Sequence, residues 1–157
     1  MKHIFELNLD WKQKNNSQNH GQKIYIKSHE ISIKGKDLLK VSAAKIFKGD
    51  PELLNPEDLL LSSLTSCHFM SFLYCCEQHQ IKVISYSDSS EAILETTNNG
   101  SGKITKVILK PRVVIENPSQ IDLANSLHKK ANELCFIANS CNFPIEHFPT
   151  TTSENLH

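Results

Sequence analysis

Apolar and polar residues alternate along three stretches near the start of the chain. Residues 4–12 (IFELNLDWK) read as a half-buried strand, and residues 23–33 alternate through Ile24, Ile26, Ile31 and Ile33 before a Lys34-Gly35-Lys36 turn. Residues 38–44 (LLKVSAA) read as the returning strand, so this region predicts an antiparallel meander, with a polar turn over 15–21. The period then changes. Asn55-Pro56-Glu57-Asp58 is a helix start, with asparagine suited to the N-cap, proline to the first helical position and two carboxylates to the electropositive first turn. The helix should run to about residues 78–80. Its apolar residues, from Leu59 to Leu73, lie nearly all round, which predicts a buried helix. Strand patterns return at 81–86, 91–96 and 104–115, with Asn98-Asn99-Gly100 as a hairpin turn. Asn117-Pro118-Ser119 ends the last of these and caps a second helix over 120–134; 143–148 reads as a final strand before a polar, frayed tail. The order of elements predicts one α+β domain over residues 1–157.

Composition narrows the function classes. With 39% hydrophobic and 22% charged residues, the chain is an ordinary globular mixture. Its 17 basic residues balance 17 acidic ones, so no field directs it to nucleic acid or anionic lipid. The one arginine, Arg112, reads as a solvated strand residue. Glu6 interrupts the N-terminal stretch before any signal-like apolar run, and no window reads as a membrane span, so a cytoplasmic protein is expected. Five cysteines, an odd number without a secretion signal, argue against a disulfide scaffold and for thiol chemistry or metal binding.

Cys67 sits inside the long helix after small residues (Ser62-Ser63-Leu64-Thr65-Ser66), and Cys135 lies at the end of the second helix. Each alone reads as packing. As a pair they point to redox chemistry: one thiolate attacks a peroxide bond and becomes a sulfenic acid, and the second condenses with it to a disulfide that an external dithiol resets. Cys75, Cys76 and His79 offer helical metal-ligand spacing, but a zinc site needs three or four ligands and Cys141 and His147 are remote in sequence, so packing is the preferred reading. His68 follows Cys67 directly, and adjacent helix residues do not face each other, so it reads as packing or interfacial. No phosphate loop or serine-nucleophile motif is present.

Asn55-Pro56-Glu57-Asp58-Leu59-Leu60 followed by Leu64-Thr65-Ser66-Cys67-His68-Phe69 resembles the signature of the OsmC/Ohr family, with the cysteine ten residues after the glutamate. Ala131–Ser140 (ANELCFIANS) is similar to the family's second cysteine element, with Phe136 where proline is usual, and the resemblance covers about residues 20–150. It implies an intertwined homodimer with antiparallel sheets around a long buried helix, and a thiol-dependent peroxidase acting on organic hydroperoxides or hydrogen peroxide. Cys67 would be the peroxidatic thiol, Cys135 the resolving thiol, and Glu57 the carboxylate that orients a cation. Cys141 is the alternative resolving thiol. No cofactor or metal is implied; the partners are the peroxide, a dithiol reductant and a second copy. Members commonly carry an arginine in the N-terminal sheet; here Lys27, with His29 nearby, is the best-placed substitute. Leu64 and Phe72 would suit an organic substrate, or equally a core. On one straight helix Glu57 and Cys67 lie roughly 15 Å apart, so either the helix breaks between them or the site is assembled across a dimer. The alternative function is a non-catalytic OsmC-like dimer that binds a small hydrophobic or thiol-reactive ligand; a third is metal binding through Cys75, Cys76 and His79.

Overall fold

A computed structural model describes residues 1–13 and 25–154, which divide into two compact units, Met1–Leu59 and Leu60–His157. The turn expected over 15–21, and Ile24, lie outside the described residues. In the first unit β1 (Asn8–Asp10), β2 (His29–Ser32) and β3 (Leu39–Val41) form the antiparallel meander the alternation predicts, with Leu9 opposite Ile31 and Ile31 opposite Leu39. Gly35, at φ 78°, supplies the left-handed residue of the β2–β3 turn. Past β3, buried Ser42 donates its N–H to Leu54 O (2.8 Å), and its Oγ accepts from Asp50 N (3.0 Å). These bonds fix the loop that delivers the next helix.

Helix α1 (Pro56–Gln78) begins where Asn55 places it. Asn55 Oδ1 accepts from Asp58 N at 2.8 Å and Asp58 Oδ2 accepts from Asn55 N at 3.2 Å, a reciprocal capping box. The C-terminus closes with Gln80 in the left-handed region (φ 54°), Gln80 N bonding Glu77 O and Ile81 N bonding Cys76 O. This is a Schellman motif, and its hydrophobic contact is Ile81 with Cys76 in one core.

The second unit carries two three-stranded sheets. One orders β4 (Val83–Asp88), β7 (Pro111–Ile115) and β9 (Thr150–Ser153); the other orders β5 (Glu91–Thr96), β6 (Gly102–Leu109) and β8 (Ile145–His147). The strand expected over 104–115 is two strands in different sheets. The ladders change over at Lys110, whose N–H bonds Asp88 Oδ1 (2.8 Å), and Pro111 has no N–H to continue one. The sheets are mixed rather than antiparallel. After β7 the chain crosses through α2 (Ile121–Leu134) and α3 (Phe136–Asn139) and returns β8 parallel to β6 and β9 parallel to β7. The tail expected to fray therefore forms β9 over residues 150–153, held also by Thr151 Oγ1 donating to Asn125 Oδ1 (2.7 Å).

Helix α1 serves two cores. Phe72, Cys75 and Cys76 pack with Val113, Ile115, Ala124, Leu127 and Ala131, between the β4 sheet and α2. Leu64, with Leu61 and Cys67, packs with Val107, Leu109 and Cys135, between the β6 sheet and α3. Burial is one-sided in the single chain: Met70 and Tyr74 are 58% and 54% exposed, contrary to the all-round burial expected. By length and composition α1 is long and apolar enough to cross a membrane, contrary to the expectation that no window reads as a span. Core helices of non-membrane proteins meet the same test, and α1 buries Leu64, His68, Phe72, Cys75 and Cys76 inside the protein.

The capping box is directly testable. Asn55→Ala should lower stability in urea by about 1 kcal/mol, and Asn55→Ser should restore most of it; equal midpoints for all three proteins would show that the cap contributes nothing.

Candidate functional site

The structure joins Cys67 and Cys135. Both thiols are free, and both sit in the Leu64–Leu109 core, Cys67 half-buried and Cys135 fully buried. Cys67 reaches that core because it follows Leu64 by three positions, on the same side of α1. Cys135 is placed by a change of direction: it ends α2 in extended geometry (φ −72°, ψ 112°) and caps α3, its Sγ accepting from Ala138 N at 3.4 Å. Burial pushes the Cys135 thiol up to about 11, and the neighbouring Cys67 thiol acts the same way, against the lowering effect of the Ala138 N–H. Cys135 is thus held as a protonated thiol, and Cys67 is the member of the pair that solvent reaches.

Glu57 and Lys27 belong to the first unit. Glu57 Oε2 is buried and accepts no hydrogen bond among the described residues. The exposed Lys27 ammonium donates to the Phe47 carbonyl, and His29 Nδ1 lies 2.8 Å from Lys27 O. Helix α1 runs unbroken from Pro56 to Gln78, so it offers no kink that would bring Glu57 back towards Cys67.

The remaining sequence candidates are separated from the thiol pair. Cys75 and Cys76 lie in the other core, where burial pushes Cys76 up to about 12 and raises Cys75, and His79 lies past the helix end. Among the described residues no group of three or more His, Cys, Asp or Glu side chains is arranged to hold a metal ion. Cys141 is half-buried in the turn after α3 and does not join the Cys67 core. Leu64 and Phe72 are fully buried, so they are core residues and not substrate contacts. An open cavity of about 500 Å³ lies instead along α1, lined by Leu61, Thr65, Phe69, Tyr86, Asp88 and Ser90 among others.

Sequence reasoning missed a histidine cluster. His68 and His128 are 1% and 2% exposed, with His68 Nε2 3.0 Å from His128 Nδ1. The His147 ring lies 4.5 Å from that of His68, and Phe72 stacks on His128 at 4.0 Å. Burial, helped by neighbouring imidazoles, lowers His68 to about 3 and His128 to about 4; burial also lowers His147, with Asp88 opposing. His68 Nδ1, His128 Nε2 and His147 Nε2 are buried without a hydrogen-bond partner among the described residues. The available signal was His128 on the buried stripe of α2, with Ala124 four residues before it and Ala131 three after.

These imidazoles make stability depend on pH. Their folded values lie below 6.5, so the unfolded chain binds protons that the folded chain refuses, and stability present above pH 6.5 is lost on acidification. Between pH 7.5 and 5.5, His68 and His128 together should remove about 3 kcal/mol. Urea midpoints across that range check it, and a flat profile would contradict it.

Comparisons with known proteins agree with this fold. The family model described as OsmC-like protein matches residues 49–147. The uncharacterized protein YmaD of Bacillus subtilis is 27% identical over 115 residues, covering 71% of this chain and 76% of that protein. A solved OsmC-like protein of unknown function from Vibrio cholerae superposes with a TM-score of 0.83 at 27% identity, covering 95% of this chain and all of that one. An organic hydroperoxide resistance protein from Elizabethkingia anophelis shares the fold, with a TM-score of 0.67 at 17% identity over 98% of this chain and all of that one. With its capped helix start, its cysteine-bearing helix and a family match across most of its length, this chain belongs to the OsmC-like family.

Proposed function

We propose that this protein is a thiol peroxidase that reduces organic hydroperoxides at Cys67, with Cys135 as resolving thiol. The observation that carries the reading is the contact between a half-buried and a fully buried free thiol. The Cys67 thiolate takes the terminal oxygen of the hydroperoxide; the O–O bond breaks, the alcohol leaves with a proton, and Cys67 becomes a sulfenic acid. The Cys135 thiol then attacks that sulfur, water leaves, and a disulfide forms. A dithiol reductant restores both thiols by exchange and is itself oxidised to a disulfide. The protonated state of Cys135 suits this order, since it leaves Cys67 as the attacking sulfur. The fold shared with an organic hydroperoxide resistance protein is what supports an organic peroxide as substrate; the cavity along α1 is lined by neither thiol.

A thiolate needs a cation or donor beside it. Glu57, with a buried oxygen lacking a partner among the described residues, is suited to holding that cation. An unbroken helix keeps Glu57 roughly 15 Å along the axis from its own Cys67, so the proposed site combines Glu57 of one copy with Cys67 of another in a homodimer. The exposed Met70 and Tyr74 on α1 support burial against a second copy. Lys27 is the proposed cation, exchanging the Phe47 carbonyl for Glu57 and the reacting sulfur.

Reduced protein treated with one equivalent of cumene hydroperoxide should form a Cys67–Cys135 disulfide, mapped by mass spectrometry, and Cys67→Ser should abolish peroxide consumption. Thiols that stay unchanged, or oxidation indifferent to Cys67→Ser, would favour a ligand-binding dimer instead. Lys27→Met should slow the first oxidation by about tenfold or more, the loss of one charge-assisted contact, with Lys27→Arg retaining activity; a Lys27→Met protein as fast as wild type would remove Lys27 from the site.

A further inference from the structure

The thiols and the buried imidazoles are carried by the same elements. Cys67 and His68 are consecutive on α1, and His128 lies seven residues, about two helical turns, before Cys135 at the end of α2. Successive helix positions point about 100° apart, so Cys67 enters the Cys135 core while His68 meets His128. That 3.0 Å contact is the one side-chain hydrogen bond between α1 and α2 among the described residues. His147, whose ring packs at a tilt against His68, belongs to β8, which pairs in parallel with β6 and places His147 opposite Leu109 of the thiol core.

As packing alone this arrangement is costly. Whichever ring of the His68–His128 pair donates, one N–H and one lone pair of that pair stay buried and unpaired, and His147 Nε2 adds a third orphan. Apolar side chains of similar volume would avoid that penalty. Among the described residues the cluster also has no counter-charge at its centre. The rings facing His68 are His128 from α2 and His147 from β8, and Phe72 stacks on His128. Among the described residues the one carboxylate acting on the cluster is Asp88, which acts on His147 and already accepts from Ser90 Oγ, Lys110 N and Tyr86 OH. A proton on His68 or His128 would sit beside imidazoles, with no anion to pair with.

We propose that His68, His128 and His147 form a proton-sensitive clamp that holds α1 and α2 in the register at which Cys67 touches Cys135. They are then positioning residues for disulfide formation, a role that rests on the thiol-peroxidase reading above. While the clamp is closed, the Cys67 sulfenic acid condenses with the Cys135 thiol and releases water. When protonation opens it, the sulfenic acid meets a second hydroperoxide instead, which oxidises it to a sulfinic acid and leaves as the alcohol.

The test is the ratio of Cys67 sulfinate to Cys67–Cys135 disulfide, read by mass spectrometry after excess cumene hydroperoxide at pH 7.5, 6.5 and 5.5. Wild type should give a severalfold higher sulfinate fraction at pH 5.5 than at 7.5. His68→Gln/His128→Asn keeps a hydrogen-bonding atom at each of the two contacting ring-nitrogen positions but does not titrate in this range, and its fraction should vary less with pH while the thiols are unchanged. His128→Leu should give a high sulfinate fraction even at pH 7.5, with the rate of the first oxidation unaltered. The same pH course in wild type and the paired variant would overturn the clamp, as would a wild-type fraction in His128→Leu; should His128→Leu fail to fold, the first comparison decides alone. If no Cys67 sulfenic acid forms in any protein, the peroxidase reading has failed. Closure of the Cys67–Cys135 disulfide by diamide, in the same proteins at the same pH values, then tests the clamp separately, with slower closure in His128→Leu and at low pH in wild type expected.

Discussion

Burial of one side of α1 against two different partners organises the second unit. Its first half supplies Leu61, Leu64 and Cys67 to a core closed by the β6 sheet and Cys135; its second half supplies Phe72, Cys75 and Cys76 to a core closed by the β4 sheet and α2. His68 lies between these sets in sequence and meets α2 at His128. Displacing α1 along its axis by one residue, about 1.5 Å, would alter both cores, the imidazole contact and the thiol contact together. The chemistry of the site is therefore tied to the packing of the helix, and the helix is fixed at both ends, by the Asn55–Asp58 box and by the Schellman turn at Gln80.

The sequence made the ends of α1 legible because caps are local: Asn55, Pro56 and Asp58 act within one turn and need no tertiary partner. The meander and the β5–β6 hairpin were legible for the same reason, since alternation and Asn98-Asn99-Gly100 are short-range signals. Long-range features were not. Division of 104–115 between two sheets depends on Asp88 capturing the Lys110 N–H, and the pairing of β9 with β7 depends on a return through α2. The polar run Thr150–Ser153 carries no apolar alternation, so its strand is made by the ladder and by the Thr151–Asn125 bond. The histidine cluster brings together residues 68, 128 and 147 from three elements, a convergence no local pattern encodes.

Two departures from the family pattern weigh differently in three dimensions. Phe136 replaces a usual proline at the first position of α3, where proline is tolerated because that N–H needs no intrahelical partner. Phenylalanine adopts the same backbone there and its ring is exposed, so Cys135 keeps its place as the cap. Lys27, as the proposed substitute for the usual arginine, would be a chemical change, because an ammonium offers a point charge where a guanidinium grips a carboxylate with two parallel bonds. In the proposed site the effect would fall on how Cys67 is activated, while the thiol contact itself is independent of it.

That contact is the central claim, and a redox titration tests it without any peroxide. Reduced protein equilibrated with glutathione buffers at pH 7 and mapped by mass spectrometry should close a Cys67–Cys135 disulfide with a midpoint below about −220 mV, near the glutathione pool. Cys67 found instead as a mixed disulfide with glutathione, with Cys135 still a free thiol, would contradict it.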